Sequence, residues 1–452
     1  MCNYFTYHIK YHSLLYKVLL FFIIFQYFIP DSLLAQNYYF GDLHMHTNFS
    51  DGKDEPQVVY DYAKNITKLD FICITDHDCF PFELTPFKWD SLQLLANQNN
   101  EEGSFVAFIG YEYTNENLIG HRTVIYPDST AKLFSAIEFN LSDMISSVHK
   151  NRGIVSIAHP NCIPWSSFVT PLTGPQENTI EIISKYHFEY YNNPMACPKQ
   201  LEGSAVQDWL ASGKILGFLG VTDSHDTRPG TYALTGVYAD SLTRDKIFNA
   251  IKNRHTFATN GRRIKVLLSY DKNIMGDLII TNEPNRVFNY EIQGTDTLTK
   301  IEFICNNMVI ESVYPNKKEI KGKFYTTDIT NHSYYYIRAF QKDGGIVWTS
   351  PIYFKKISYL NGGDILNIKI LYYPNPFDNK INVYYYQPVD GILNIKIFNV
   401  FGHLIHNYSG EFNKAGDYFT ELDMQEFTNG VYMICFEVGM FKKIVKLIKI
   451  NE

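Results

Sequence analysis

A chain of 452 residues that is 45% apolar and 16% aromatic holds material for two or three packed cores, which excludes a disordered protein. Its net charge is -7, and no Lys/Arg run is interleaved with aromatic residues, so extended nucleic acid is excluded as the expected partner.

Residues 1–36 open the chain with Lys10 and Lys17 ahead of "VLLFFIIFQYFIP", and Ala35 offers a small residue before a cut. This layout predicts a cleaved secretory signal peptide, with a retained membrane anchor as the alternative. Beyond it lie Cys73, Cys79, Cys162, Cys197, Cys305 and Cys435, whose scattered spacing gives no CxxC pair. Neither a disulfide framework nor a zinc knuckle is predicted.

From residue 37 to 261 short apolar runs alternate with longer polar segments. The runs are "YYFGDLH", "LDFICITDH", "SFVAFIGYEY", "GIVSIAHP", "YHFEYYN", "ILGFLGVTDSH" and "LTGVYAD". Helix-sized segments such as "EPQVVYDYAKNI", "LSDMISSVHKN" and "SAVQDWLASG" separate most of them, which predicts repeated βα units closing into a barrel. Residues 262–356 change to alternating segments such as "KVLLSY" and "YYYIRAF", the pattern of a β-sandwich. Residues 357–371 read as a linker and residues 372–452 as a second small all-β sandwich.

Side chains two apart on a strand share a face, so His44 and His46 in "DLHMHT" are expected on one side, spaced to chelate a metal ion. An isolated HxH is weak evidence. The pattern recurs, however: Asp76 and His77 follow "FICIT", Glu112 follows "FVAFIGY", His159 follows "GIVSIA", and Asp223 and His225 follow "ILGFLGVT". The C-terminal ends of parallel barrel strands open on one face, where such residues converge. Of 14 histidines, nine fall between residues 44 and 255, and only His149, His187 and His255 lack this placement. Those three are expected to be structural or solvent-exposed. Arg122 and Arg228 adjoin these positions, as anion clamps or as loop ion pairs. Asp76 and Asp42 are expected to orient ligands by hydrogen bonds, and Glu189 and Asn192 to line a pocket.

The segments "GDLHMHTNFSDG", "ITDHD", "YEYTN" with "GHR", "IAHPN" and "GVTDSHD" resemble the successive motifs of the PHP (polymerase and histidinol phosphatase) metallohydrolases. The flanking "FEYYNN", "RHTFATNG" and "DGGIVWTSPIYF" are similar to exported members of the CehA type. This resemblance implies an α/β fold, a distorted (β/α)7 barrel. It implies two or three divalent metal ions (Zn, Mn or Fe). His44, His46, Glu112 and Asp223 would form one site, Glu112, His121 and His159 a second, and Asp51, His77 and His225 a third. Asp51 stands where many members carry His. The implied catalytic residues are Asp223, His225 and Arg228, and the implied chemistry is hydrolysis of a phosphoester by a metal-bound hydroxide. Carboxylic or carbamate ester cleavage is the alternative, and a non-catalytic surface binding protein is another.

At the C-terminus "YYPNPFDN", "IKIFNVFGHLI" and "TNGVYMICFEVGMFKKIVKLIKI" resemble the type A sorting domain of the Bacteroidetes type IX secretion system. That resemblance implies the secretion machinery as a partner and a secreted or outer-membrane-attached destination.

Overall fold

The computed structural model describes residues 37–356 and 369–450, apart from residues 80, 116–118, 171–175, 329, 331, 374–375, 388, 415 and 440. The signal peptide expected over residues 1–36, and residues 357–368 of the expected linker, lie outside the described residues. The chain divides into two compact units between Lys355 and Lys356.

The first unit begins with strands β1 (Asn37–Asp42), β2 (Phe71–Ile74), β3 (Val106–Tyr113), β4 (Arg122–Tyr126), β5 (Ile154–Ile157), β6 (Thr179–Ile183), β7 (Gly217–Gly220), β8 (Leu234–Ala239) and β9 (Thr256–Thr259). Every residue of β2, β3, β4, β5, β6 and β7 is buried, so their apolar runs are nearly continuous rather than alternating. Helices α1 (Pro56–Asn65), α2 (Pro86–Asn99), α3 (Leu141–Lys150), α4 (Val206–Ala211) and α5 (Arg244–Lys252) lie between them. In α1 a proline opens the first turn, where its missing N–H costs nothing, and Val59, Tyr60 and Ala63 turn one face inward. In α3 the Asn140 side chain caps the helix by accepting from the Asp143 N–H at 3.0 Å, and Met144, Ile145 and Val148 are buried.

The expectation of an α/β, (β/α)7 barrel followed by two small sandwiches is overturned. Strand accounts for 45% of the structure and helix for 13%, and the strands of the first unit form one mixed 18-stranded sheet. Strands β1, β2 and β3 are parallel, but β4 returns antiparallel between β3 and β5, and β8 runs antiparallel to both β1 and β9. Those reversals are made by loops or a short helix, and the expected helix in "SAVQDWLASG" shrinks to the six residues of α4. "YHFEYYN" forms no strand; β6 forms just before it, from "TIEII".

Nor do residues 262–356 fold apart from what precedes them. Strand β9 pairs with Ile346–Thr349, and Trp348, Tyr336 and Tyr353 share a core with Trp209, Phe218 and Ala258. Burial of these large side chains, each worth about 2–3 kcal/mol, joins the two stretches.

The second unit holds a three-stranded and a four-stranded sheet. Ile381 and Val383 of the first sheet pack with Ile395, Ile397, Ile434, Phe436 and Leu447 of the second. Alternate residues face inward, as a half-buried antiparallel strand requires.

Candidate metal centre

Strands β1, β2, β3, β5 and β7 deliver their C-terminal ends to one place. Beyond β1, the His46 N–H donates to Ser224 O and the Asp223 N–H donates to His44 O, both at 2.9 Å, so the "HMH" and "TDSH" segments lie side by side. His77 bridges Glu112 next to β2 and β3. His121 joins them because β4 is antiparallel, so its start adjoins the end of β3. The Ser50-Asp51-Gly52 turn folds back onto "HMH", and a Cβ on Gly52 would come within 2.4 Å of His46 O. Only glycine permits that approach.

All nine residues singled out as ligands come together. Glu112 is the hub: its Oε1 lies 3.3 Å from His44 Nε2, 3.0 Å from His121 Nδ1 and 3.2 Å from His159 Nε2. Its Oε2 lies 2.8 Å from His77 Nδ1 and 3.5 Å from His46 Nε2. Asp223 Oδ1 is 3.5 Å from His44 Nε2 and 3.3 Å from His46 Nε2. Asp51 Oδ1 is 3.3 Å from His225 Nε2 and 3.6 Å from His77 Nε2. Donor atoms cluster within 4.8 Å in four overlapping groups: His46 with Asp51, His77 and His225; His44 with His46 and Glu112; His44 with His159 and Asp223; and His77 with Glu112 and His121. The third implied site thus gains His46, while His159 also groups with His44 and Asp223.

Electrostatics set the charge states of these groups in the metal-free chain. Burial would raise the Glu112 carboxyl, but His44, His121 and His77 hold it well below its usual range. Burial likewise opposes ionisation of Asp223, and His44 and His46 outweigh it. Burial and the adjacent His77 push His46 down to about 3, so it is neutral. Burial would also lower His225, yet its hydrogen bond to Asp51 and the charge on Asp223 lift it to about 9. Among the described residues, Glu112 Oε2, His121 Nε2 and His159 Nδ1 are buried with no directed hydrogen-bond partner. Leaving such atoms unpaired costs about 1–3 kcal/mol each, and a mixed imidazole and carboxylate set with spare lone pairs fits a divalent cation. His159 and Asp223 also hold left-handed backbone, with φ of 26° and 50°. Such strain, on the order of 1–3 kcal/mol per residue, persists where the surroundings fix a functional geometry.

The supporting residues differ in part from expectation. Glu181, in β6, accepts from His44 Nδ1 at 2.7 Å through Oε1 and from the His159 N–H at 2.7 Å through Oε2, fully buried. The only sequence sign of it is one carboxylate inside the apolar run "TIEII". Asp76 touches no ligand ring; it accepts from the Thr47 N–H and from Ser50 Oγ, and Ser50 Oγ lies 3.3 Å from His46 Nδ1. Asp42 accepts from the Thr222 and Gly230 N–H groups and clamps the end of β1 to the segment after β7. Glu189 lies elsewhere, bound by His187 Nε2, Arg338 Nη1, Trp348 Nε1 and the Tyr336 hydroxyl.

Arg122 is no substrate clamp. It is fully buried, with Nε and Nη2 on Glu177 Oε1 at 3.0 Å and Nη1 on His121 O at 2.9 Å. Arg228 is exposed and pairs with Asp226 at 3.4 Å. His149, His187 and His255 bind Asn178, Glu189 and Asp277. Contrary to the reading of the cysteine spacing, Cys162 and Cys197 are disulfide-bonded across 35 residues. A cavity of about 490 Å³, lined by Lys214, Leu278, Asn307, Tyr334 and Lys355, includes none of the cluster residues.

Two family models match the chain. Residues 63–152 and 200–285 match a "Protein of unknown function (DUF3604)", and residues 371–451 match a secretion system C-terminal sorting domain. Uncharacterized proteins of Chlamydia pneumoniae and Chlamydia muridarum are 22% and 24% identical, over 71% and 69% of this chain. The chain spans 57% and 56% of the length of those relatives. Among solved structures, latent PorU from Porphyromonas gingivalis is similar with a TM-score of 0.18 at 10% identity, covering 42% of this chain and 20% of that one. A β-glucuronidase of Parabacteroides merdae gives 0.24 at 7% identity, covering 84% of this chain and 42% of that one. Scores at that level establish no shared fold. Among the described residues, no helix is long and apolar enough to cross a membrane. The sorting domain over residues 371–451 marks the chain for export by type IX secretion to the cell surface or beyond.

Proposed function

We propose that this exported chain is a metal-dependent hydrolase of ester bonds that uses the cluster around Glu112, as the resemblance of its motifs to the PHP metallohydrolases implies. The observation that carries the reading is the convergence of nine ligand-type side chains on one face, with buried donor atoms lacking hydrogen-bond partners.

His44, His46, Glu112, His121, His159 and Asp223 would hold the inner ions, and Asp51, His77 and His225 an outer one with His46. Bound divalent ions supply Lewis acidity and make water nucleophilic near neutral pH. The protein fixes the ligands: Glu181 holds the His44 ring and the His159 backbone, and Asp76 acts through Ser50 on His46. The side chains of Asp51, Asp223 and His225 are 28%, 29% and 39% exposed, so substrate reaches the cluster from their side. As a ligand of the outer ion His225 would be neutral, with its Nδ1–H donating to the Asp223 carbonyl at 3.0 Å, so that Asp223 orients the ring at the exposed mouth of the cluster.

Phosphoesters are the first class to test. Carboxylic and carbamate esters are the second, since attack at carbon needs the same electrostatic support. The purified chain should be reconstituted with Zn, Mn or Fe and assayed on phosphomonoesters, phosphodiesters and aryl esters. Turnover that depends on metal and drops at least about a hundredfold in Asp223→Asn supports the reading. A fully metallated protein inactive on every ester would leave a surface binding role in its place.

A further inference from the structure

Five aromatic rings form a row through the cluster. Phe82 stacks on His77, centroids 5.8 Å apart at 24°; His77 meets His121 at 5.7 Å; His121 meets His159 at 5.0 Å; and His159 meets Trp165 at 6.2 Å. The three inner rings are candidate ligands. The two outer ones bind no metal, and Trp165 is 43% exposed beside a polar site.

An exposed indole ordinarily sits on a compliant surface loop, and this one does not. Three residues earlier the Cys162–Cys197 disulfide anchors the chain. The Ile163 N–H donates to Lys199 O at 2.9 Å, and the His121 N–H donates to the carbonyl of Trp165 itself at 3.3 Å. Two residues later, Ser167 Oγ accepts from the buried Arg122 Nη1 at 3.2 Å. Gly120 packs so closely that a Cβ there would lie 2.4 Å from Ser167 Cβ. The indole is thus presented on a braced loop next to a ligand histidine, and a braced aromatic surface binds a partner ring at little entropic cost.

We propose that Trp165 selects substrates carrying a flat aromatic ring next to the scissile bond. Trp165 is the specificity-determining platform, and the Cys162–Cys197 disulfide holds it in place. The inference rests on the ester-hydrolase reading for the kind of bond beside the ring, and its test reads binding separately from turnover.

Phenylphosphonate and methylphosphonate differ only in the ring and are not cleaved. Calorimetric titration of the metal-reconstituted full chain is expected to show phenylphosphonate binding about tenfold more tightly. In Trp165→Ala the ratio is expected to fall to about twofold with metal content retained. Equal affinities in the parent protein, no binding of either probe, or a tenfold ratio surviving in Trp165→Ala would each overturn the proposal. Phenyl phosphate is assayed in parallel: a ring preference without turnover would remove the hydrolase reading and leave the aromatic platform standing.

Discussion

Fully buried, Glu112 has five imidazole nitrogens within 3.5 Å of its two oxygens, and Glu181 stands behind His44. Such outer partners fix ring orientation and raise ligand basicity, so Glu181→Gln is expected to weaken metal affinity by about ten- to a hundredfold. Competition with a chelator of known affinity measures this, and an unchanged constant would show that Glu181 serves packing alone. Seven of the nine candidate ligands are legible in the sequence because they stand at or just past the ends of apolar runs, as in "ITDHD" and "GVTDSHD", whereas Asp51 and His121 enter only through the resemblance of their motifs. Glu181 was not legible, since a single Glu inside "TIEII" carries no spacing, and a neighbouring aromatic run drew the strand assignment away. The sequence leaves Arg122 between an anion clamp and a loop ion pair because nothing local foretells Glu177, which meets it 55 positions later.

At the scale of elements, the loop after β5 brings His159 and Trp165 to the cluster, and Cys162–Cys197 closes a loop of 35 residues there. In the chain-entropy model a loop of that size stabilises by about 3–4 kcal/mol, and export places it where disulfides persist. Cys197→Ser is therefore expected to lower the unfolding free energy of the full chain by about that amount in denaturant titration. The difference should vanish when both proteins carry reductant; a gap surviving reduction would assign the loss to packing. The pairing was not legible because Cys162 and Cys197 share no motif spacing. Strand existence was legible from composition, as "FICI" and "VAFIGYEY" show, whereas strand direction was not. The antiparallel returns of β4 and β8 depend on loops and on partners distant in sequence, and they turned an expected helix-rich barrel into a mixed sheet.

At the scale of the molecule, Glu189 ties the early strands to the late ones through Arg338, Trp348 and Tyr336. Burial would raise its carboxyl, but His187 and Arg338 hold it at about 2 against an ordinary 4.5. A depressed folded value means that the stabilisation is present above pH 4.5 and is lost as pH falls toward 2, on the order of 3 kcal/mol for this group. Denaturation of the chain between pH 6 and pH 2.5 should show that loss, and Glu189→Gln should flatten this part of the profile while lowering stability at pH 6. An unchanged slope in the variant would contradict the linkage. The sorting domain is a separate unit, so removing residues 371–452 is expected to retain the protein in the periplasm. Recovery of the truncated chain from the cell surface or the medium would contradict that dependence.

Metal content of the purified, reconstituted full chain, measured beside its His46→Ala variant, tests whether the face built around Glu112 is a metal centre. His46 belongs to both the inner and the outer donor groups. Two or three divalent ions per chain are expected, with at least one lost in the variant and ester turnover lost with it. A parent protein without tightly bound metal, or a variant with unchanged stoichiometry, would contradict a metal centre at this face.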